Sequence, residues 1–252
     1  MCKVLEKFIH EKLYALLESN NVLSDSQYRF RVKRSTTTLL VTAIHDWAEA
    51  LNNCLSTHCV LIDFAKAFDS VPHEWLLLKL QAYGICGSLL RWFRSFLTTR
   101  RQRVVVNGHH SDWSYVSSGV PQGSILGPFL FVLYVNDLSS VVRSKIKMFA
   151  DDGTLYTTVS TTENCNKLQS DLDLVSSWCA HWQMNLNPLK CELLCISNKL
   201  LPPKFDYVLN GFPLKWCTSV RYLGVHINSK LSWNDHCSII TAKATRVLNF
   251  LR

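Results

Sequence analysis

Residues 145–159, KIKMFADDGTLYTTV, contain the pattern that decides the fold. Two runs typical of β-strands flank Asp151, Asp152 and Gly153, and the Asp-Gly step favours a tight hairpin turn. The pattern therefore predicts a β-hairpin with both carboxylates at its tip. Because two adjacent carboxylates repel each other, this arrangement requires a compensating positive charge, which a divalent cation can supply.

A third aspartate ends another strand-like segment. Residues 59–64, CVLIDF, form an apolar run that is interrupted only by Asp63. A lone aspartate at a strand end is usually a cap or a turn former, so each acid taken alone is weak evidence. If this strand lies beside the hairpin, Asp63 and Asp151 converge. We then expect their carboxylates within roughly 4–7 Å of each other, close enough to share divalent ions.

Such a set of carboxylates predicts a magnesium site of the kind that polymerases use. Mg²⁺ takes carboxylate and phosphate oxygens, and a few carboxylates plus substrate phosphates complete its shell. Two Mg²⁺ ions, with Mn²⁺ as an alternative, would support an in-line displacement at phosphorus. One ion lowers the pKa of a primer 3′-hydroxyl and the other holds the leaving pyrophosphate.

Basic residues are concentrated in two segments of this 252-residue chain, whose formal net charge is +8. One is the cluster at 29–34, and the other is the acid-free segment 75–111. The basic residues singled out in the second segment are Lys79, Arg91, Arg94, Arg100, Arg101 and Arg103, and the last four are expected to contact a nucleic-acid backbone. Such clusters suit a polyanion, and an ordinary solvated basic face is the alternative.

The cysteines and the apolar segments indicate an intracellular protein. The ten cysteines form no CxxC pair and no zinc-ligand spacing, so reduced, buried thiols are expected. The first 18 residues carry charges throughout, which argues against a secretory signal. The longest purely apolar stretch, residues 129–135, is too short to span a bilayer. We therefore expect a soluble protein of the cytoplasm or nucleus that is neither secreted nor bound to a membrane.

The spacing of apolar residues predicts an irregular mixture of helices and strands without an internal repeat. Helical spacing is found at 3–18, after a candidate cap at Ser35, and at 72–83, 87–98, 124–139, 162–183 and from about 235. Strand-like runs lie at 59–64, 101–108 and 111–118 (a hairpin), 145–159 (a hairpin), 191–196 and 219–227. This mixture indicates an α+β fold and argues against a doubly wound sheet.

Six segments resemble, in order, the successive sequence blocks of non-LTR (LINE-type) retrotransposon reverse transcriptases. They are QYRFRVKRSTTTLL, LIDFAKAFDSVPH, SSGVPQGSILGPFLFVLYVNDL, FADDGTLY, LNPLKCELLCIS and VRYLGVHI, running from about residue 20 to about residue 228. A bare ADD would be weak evidence, whereas six blocks in the family's order are specific. The resemblance implies an α+β right-hand polymerase fold with fingers, a palm with an antiparallel sheet, and a truncated thumb.

By this resemblance, residues 1–252 form one reverse transcriptase domain. The fingers would comprise about 1–57 and 75–115, the palm with its primer grip about 58–74 and 116–228, and the start of the thumb about 229–252. The implied function is that of an RNA-directed DNA polymerase, which transfers a nucleotide from a dNTP to a DNA primer on an RNA template. Two alternatives stay open: an inactive retrotransposon remnant that only binds nucleic acid, and a group II intron-type maturase.

The resemblance also implies roles for individual residues. Asp63 and Asp151 would be the principal metal ligands, with Asp152 beside them. The backbone carbonyl of Phe64 would be a further ligand. Phe68 would be a steric gate under the sugar of the incoming nucleotide, and is otherwise a core aromatic. The nucleotide-binding residues would be Arg31, Arg34, Phe68, Gln122, Gly123 and Lys190, and the primer grip would be Tyr222, Leu223 and Gly224.

The fingers block departs from the family's pattern at three positions. Arg29 and Lys33 stand where glycines are common, and Val32 stands where a basic residue is usual. A positive φ at either glycine position would strain this loop, because residues with a Cβ rarely adopt it. A change in the shape of this loop would alter how its arginines contact the triphosphate of a bound nucleotide.

Overall fold

The structure is a computed structural model that describes residues 2–251, and one five-stranded sheet carries both aspartate-bearing segments. The helices are α1 (Cys2–Ser19), α2 (Thr36–Asn52), α3 (Ala67–Ser70), α4 (His73–Ala82), α5 (Gly87–Thr98), α6 (Leu126–Val135), α7 (Leu138–Val141), α8 (Thr162–His181) and α9 (Asn234–Leu251). The strands are β1 (Ser56–Ile62), β2 (Arg101–Gln102), β3 (Val105–Val106), β4 (His109–His110), β5 (Ser114–Tyr115), β6 (Lys145–Phe149), β7 (Asp152–Val159), β8 (Glu192–Ile196), β9 (Val208–Leu209), β10 (Phe212–Pro213), β11 (Lys215–Cys217), β12 (Ser219–Tyr222) and β13 (Val225–Asn228).

The central sheet has the strand order β11-β8-β1-β7-β6. β1 pairs antiparallel with β7 and with β8, and β6 pairs antiparallel with β7. β11 joins β8 in parallel at the edge of the sheet. The expected antiparallel sheet is therefore found, with one parallel edge strand in a segment that the sequence pattern left unassigned.

β1 is buried because the sheet is covered on both faces. Val60 and Ile62 face a core that includes residues of α1, α4, α5, α6 and α8. Cys59 faces a second core, built with α2 and the β12–β13 hairpin. Successive side chains of a strand point to opposite faces, so a strand between two cores reads as a continuous apolar run. This accounts for the apolar segment that precedes Asp63.

One buried polar side chain joins β1 to the segment before β9. His58 Nδ1 lies 2.8 Å from the Tyr207 hydroxyl, and Nε2 lies 3.1 Å from the Pro203 carbonyl oxygen. A carbonyl can only accept, so Nε2 donates to Pro203 and the Tyr207 hydroxyl donates to Nδ1. Burial lowers the pKa of His58 to about 4, and the imidazole is therefore neutral at pH 7.

The apolar helix predicted at 124–139 is two helices, α6 and α7. The residues of α6, LGPFLFVLYV, are buried on nearly every side, as expected for a helix that runs through a core. Between α6 and α7, the Asn136 side chain donates to the Val22 carbonyl at 2.7 Å and accepts from the Ser24 N–H at 2.8 Å. These hydrogen bonds attach the break between α6 and α7 to the loop after α1.

The segment 26–28 continues the sheet beyond β6. The Met148 N–H donates to the Ser26 carbonyl and the Tyr28 N–H donates to the Met148 carbonyl, each at 2.8 Å. This contact covers the edge of β6, whose backbone groups would otherwise lack partners. It also brings the sequence block 27–40 beside the hairpin that bears Asp151 and Asp152.

Most other predicted elements are found with small shifts at their ends, but the strand-like run at 219–227 is two strands, β12 and β13, joined by a turn. Ser35 caps α2 by accepting from the Thr38 N–H at 3.1 Å. The hairpin expected at 101–118 forms as two short ladders, β2 with β5 and β3 with β4. None of the helices within residues 2–251 combines the length and the apolar character needed to cross a membrane. The division into fingers, palm and thumb stays a prediction.

Candidate active site

Asp63, Asp151 and Asp152 lie at one end of the central sheet. β1 ends at Ile62, which pairs with Gly153 of β7. One further step along this antiparallel register places Asp63 opposite Asp152, with Asp151 in the adjoining turn. Asp63 and Asp151 are half-buried, and Asp152 is exposed. The fold therefore brings together the hairpin acids and the strand-end acid that the sequence pattern singled out.

The three carboxylates interact electrostatically. Burial raises the pKa of Asp151 above its ordinary value, and the charge of Asp63 adds to this effect. The Asp152 residue is exposed as a whole, but partial burial of its carboxyl group raises its pKa, and repulsion from Asp151 and Asp63 raises it further. The Arg29 guanidinium lowers the pKa of both carboxyls without cancelling the rise. A cation among these oxygens would stabilise their ionised forms.

The donor set fits a hard divalent cation in both oxygen type and charge. Within residues 2–251, no group of three or more His, Cys, Asp or Glu side chains is placed to hold an ion by itself. Waters and substrate phosphates would therefore have to complete the shell of a Mg²⁺ ion at this place.

The backbone after Asp63 is fixed by the segment 185–187. The Asn187 N–H donates to the Asp63 carbonyl oxygen at 2.8 Å, and Phe64 forms an isolated antiparallel bridge with Leu186. The Phe64 side chain is buried in the first core, which orients its backbone. Its carbonyl as a metal ligand stays a prediction.

Gln27 fixes the hairpin on the other side of the site. Its buried side-chain oxygen accepts from the Ala150 N–H at 2.9 Å and from the Arg29 N–H at 3.0 Å. Ala150 has φ +58°, an unfavourable conformation for a residue with a Cβ, and it directly precedes Asp151. No sequence pattern marks Gln27 as a site residue, apart from its place at the start of the block QYRFRVKRSTTTLL.

The loop 119–125 lies against the turn that follows Asp63. A Cβ built on Gly119 would lie 2.7 Å from both the Asp69 Cα and its carbonyl oxygen, and φ of Gly119 is +85°. The Gly119 N–H donates to the Val71 carbonyl at 2.7 Å. Its own carbonyl accepts from Arg100 Nη2 at 2.7 Å and lies 2.9 Å from His73 Nε2. Only glycine permits this approach without displacement of the backbone.

Gln122 and Gly123 occupy the exposed part of the same loop. Gln122 Nε2 donates to Asp69 Oδ1 at 2.8 Å, so the Asp69 carboxylate positions the loop. Gly123 has φ +81° and no atom within 4 Å of a built Cβ, which leaves space above its backbone.

The end of this loop is held by α1. The buried Glu6 carboxylate accepts from the Ile125 N–H at 2.8 Å and thereby connects α1 to the start of α6.

Phe68 and Lys190 differ in how the fold holds them. The Phe68 ring is half-buried and lies 4.5 Å, centroid to centroid, from the Phe131 ring. One part of it therefore belongs to the core, and the gate role stays a prediction. The Lys190 side chain is exposed at the end of a turn in which its N–H donates to the Asn187 carbonyl. Its contact with pyrophosphate also stays a prediction.

Arg31 and Arg34 already have protein partners. The Arg31 side chain is 7% exposed, donates to the Leu23 carbonyl at 3.0 Å, and lies 3.0 Å from Glu18 Oε1. Arg34 Nη2 lies 2.5 Å from Asp25 Oδ1. Binding a triphosphate would require these groups to exchange partners, and the nucleotide-binding roles of Arg31 and Arg34 stay predictions.

The strain expected in this loop is found at one of its two glycine-like positions. Lys33 has φ +61°, whereas the φ of Arg29 is not positive. The neighbouring Phe30 also has a positive φ, of +56°. The Arg29 guanidinium instead lies over the rings of Phe30 and Phe149, at 4.9 and 4.8 Å from their centroids, beside the aspartate hairpin.

The predicted primer grip is the hairpin of β12 and β13. Tyr222 is buried in the second core and pairs with Val225. Leu223 and Gly224 form the two-residue turn, with φ of +47° and +89°. Two positive φ values fit a type I′ turn, which suits a two-residue hairpin. Contact with a primer stays a prediction.

The basic residues of segment 75–111 do not form one surface. Lys79 belongs to the core, because its Nζ donates to the Tyr134 carbonyl and to Asp137, each at 2.5 Å. Arg94 Nη1 lies 2.5 Å from Glu74 Oε1. Lys79 therefore does not belong to the expected basic surface, because Asp137 pairs with its charge inside the fold. The nucleic-acid contacts of the four arginines remain a prediction, with Arg94 and Arg100 already bonded within the protein.

A family model described as "Reverse transcriptase (RNA-dependent DNA polymerase)" matches residues 1–227. The chain belongs to the reverse transcriptase family. Reverse transcriptases in general use divalent metal ions, which agrees with the donor set at the end of the sheet.

Two curated relatives come from Drosophila melanogaster. The "Probable RNA-directed DNA polymerase from transposon BS" is 27% identical over 268 residues, covering 100% of this chain and 29% of the relative. The "RNA-directed DNA polymerase from mobile element jockey" is 27% identical over 247 residues, covering 94% and 27%. These matches confirm the resemblance to non-LTR retrotransposon reverse transcriptases. The chain spans less than a third of the length of either relative.

The solved structures support the same fold. Apo telomerase from Candida tropicalis superposes with a TM-score of 0.61 at 12% sequence identity, covering 93% of this chain and 40% of telomerase. This similarity confirms the α+β right-hand architecture of a reverse transcriptase.

Proposed function

We propose that this reverse transcriptase domain is the RNA-directed DNA polymerase of a non-LTR retrotransposon. It transfers a nucleotide from a dNTP to the 3′-hydroxyl of a DNA primer on an RNA template. The observation that carries the proposal is the convergence of Asp63, Asp151 and Asp152 at one end of the sheet. The names of the two Drosophila relatives support the reaction type. We place this activity in the cytoplasm or nucleus, where thiols stay reduced.

The chain's own residues bind and orient the reactants. Asp63 and Asp151 would hold two divalent ions, Mg²⁺ or Mn²⁺, and Asp152 and the Phe64 carbonyl would lie beside them. When bound, these ions supply Lewis acidity to the attacking hydroxyl and to the leaving pyrophosphate. Asp69 holds Gln122 at the open side of the site, where its amide contacts the nucleotide.

Further residues place the rest of the nucleotide and the primer. Gly123 leaves space for the templating pair, and the Phe68 ring lies under the sugar. Lys190 contacts the pyrophosphate, and Arg31 and Arg34 reach the triphosphate after they release Glu18 and Asp25. The turn at Leu223 and Gly224 holds the primer.

Primer extension tests the proposal directly. The wild-type protein should extend a DNA primer on an RNA template when Mg²⁺ or Mn²⁺ is present. Asp63→Asn and Asp151→Asn should each reduce the rate by at least about 100-fold, because each removes a ligand charge that matters in the transition state. The exposed Asp206, changed to Asn, is the matched control and should extend at the wild-type rate.

The same assay separates this proposal from its alternative. A wild-type protein that binds the primer–template yet extends it with neither metal ion would be an inert nucleic-acid-binding remnant. A rate that both catalytic-site substitutions leave unchanged would contradict the assignment of the aspartates.

A further inference from the structure

An exposed ribbon between α5 and α6 carries a face that the proposed chemistry does not use. Residues 101–115 form two short ladders, and every residue among them is exposed. Arg101 pairs directly with Tyr115 across β2 and β5. The same register places Arg103 opposite Trp113, and side chains two residues apart point to the same face. We call Arg101, Arg103, Trp113 and Tyr115 the arginine–aromatic face.

The two guanidinium groups lie over the two aromatic rings. The Arg103 guanidinium lies 4.6 Å from the Trp113 ring centroid, and that of Arg101 lies 5.7 Å from Trp113 and 5.9 Å from Tyr115. Trp113 is nevertheless 56% exposed and Tyr115 is 74% exposed. Large aromatic rings left in water on a narrow two-stranded ribbon indicate a binding surface, because burial in a partner would stabilise them.

The charge of the ribbon indicates the chemistry of that partner. Neither Arg101 nor Arg103 forms an ion pair with any side chain of residues 2–251, whereas Arg94 is paired with Glu74. Asp112 is the sole acid of residues 100–116. A positively charged surface with aromatic rings matches a single-stranded nucleic acid, whose bases stack on the rings while its phosphates contact guanidinium groups.

A groove lies beside this face, with Tyr115 in its wall. It has a volume of about 680 Å³ and is lined by Tyr115, Ser118, Pro72, Trp75 and Gln183 among others. The Ser118 hydroxyl donates to the Asp69 carbonyl at 2.8 Å, and the Asp69 side chain in turn holds Gln122. The wall of the groove is thus linked at Ser118, through Asp69, to Gln122 of the proposed nucleotide-binding loop.

We propose that the arginine–aromatic face binds the unpaired RNA template, with bases stacked on Trp113 and Tyr115 and phosphates against Arg101 and Arg103. This assignment rests on the proposed function for its choice of RNA. It differs from a general basic patch because stacking requires unpaired bases, so duplexes bind this face poorly.

Equilibrium binding of a labelled single-stranded RNA 12-mer tests the assignment. EDTA is present and dNTPs are absent, so that the result does not depend on catalysis. Trp113→Ala and Tyr115→Ala should each weaken binding by about tenfold, as expected for the loss of one stacked base. Trp113→Phe should restore most of the affinity, and thermal melts should show that every variant is folded.

The β9–β10 hairpin offers a matched control. Phe212 is also an exposed aromatic on a two-stranded ribbon with an Asn-Gly turn, and it is 52% exposed. Phe212→Ala should bind the RNA as the wild type does. Arg101→Gln and Arg103→Gln should each reduce the salt dependence of binding by about one phosphate contact.

Three outcomes would overturn the inference. They are unchanged affinity in the Trp113 and Tyr115 alanine variants, equal affinity of the wild type for a blunt duplex, and a clear preference for single-stranded DNA over RNA. A wild type that shows the expected RNA binding but never extends a primer would refute the proposed function and leave this surface assignment standing. Normal primer extension by the wild type, together with unchanged RNA binding in the alanine variants, would refute the surface assignment and leave the proposed function standing.

Discussion

Alanine substitutions at Gly119 and Gly84 would show how much stability depends on the close approach of Gly119 to Asp69, apart from the effect of a positive φ. Their φ values, +85° and +87°, are nearly equal. A Cβ on Gly84 meets no atom within 4 Å, whereas a Cβ on Gly119 would lie 2.7 Å from backbone atoms of Asp69. Substitution by alanine therefore adds the same strain at both positions but a backbone overlap only at Gly119.

The expected losses of stability follow from these two contributions. A left-handed alanine costs about 1–2 kcal/mol, part of which is offset by the reduced freedom of the unfolded chain, so Gly84→Ala should lose about 1 kcal/mol. Gly119→Ala should lose about 1–3 kcal/mol more, because the neighbour at Asp69 is backbone and cannot rotate away. The larger loss should come with a weaker contact between Asp69 and Gln122, since the overlap pushes the two segments apart.

Urea denaturation followed by far-UV circular dichroism measures the difference. The two variants should keep the wild-type m-value, and Gly119→Ala should have the lower midpoint. Primer extension by Gly119→Ala should show a raised KM for dNTPs, whereas Gly84→Ala should keep the wild-type value. Free energies of unfolding that agree within about 0.5 kcal/mol between the variants would refute the argument from close approach.

Three further predictions concern single side chains. Lys33→Gly should stabilise the protein by about 0.5–1 kcal/mol in urea denaturation, because glycine relieves the positive φ of +61° at some cost in unfolded-state entropy; a loss of stability would contradict the assigned strain. His58 is neutral in the fold and takes up a proton below about pH 6.5 in the unfolded chain, so lowering the pH from about 6.5 to about 4 should remove roughly 3 kcal/mol of stability. His58→Gln should lack this part of the pH dependence in denaturation curves, and an unchanged slope would exclude His58 as its source. Phe68→Val should raise ribonucleotide incorporation relative to deoxyribonucleotide by about tenfold or more, with a thermal melt to show that the variant folds; unchanged selectivity would make Phe68 a core residue only.

The three aspartates could be predicted from sequence because local patterns mark each of them. A buried strand runs up to Asp63, and a hairpin turn contains Asp151 and Asp152, so the position of each acid follows from its immediate neighbours, whereas its role as a metal ligand stays a prediction. The register that joins them could not be predicted in this way. The pairing of Ile62 with Gly153 is a contact between segments far apart in the chain, and it depends on how the two cores cover the sheet.

The partners of the long basic side chains were less predictable for the same physical reason. Nothing in the sequence distinguishes Arg31 and Lys79 from surface cations, yet both side chains are almost wholly buried. The Glu18 carboxylate meets Arg31, and Asp137 meets Lys79. A flexible side chain takes the nearest available acceptor, and tertiary structure determines which acceptor that is. Tertiary structure also determines which glycine is required, since Gly119 and Gly84 have nearly equal φ and differ in the Asp69 backbone that lies beside Gly119.

Backbone strain links the fingers segment to the aspartate hairpin. Ala150 has a positive φ directly before Asp151, and such strain persists only where surrounding contacts hold it. The contact that holds it is the Gln27 side chain, which belongs to the segment docked on β6. This contact joins the segment at the edge of the sheet to the residue that precedes Asp151. The segment docked on β6 and the hairpin that bears the carboxylates are therefore held together through Gln27, a link that local sequence patterns cannot reveal because Gln27 and Ala150 meet only in the folded chain.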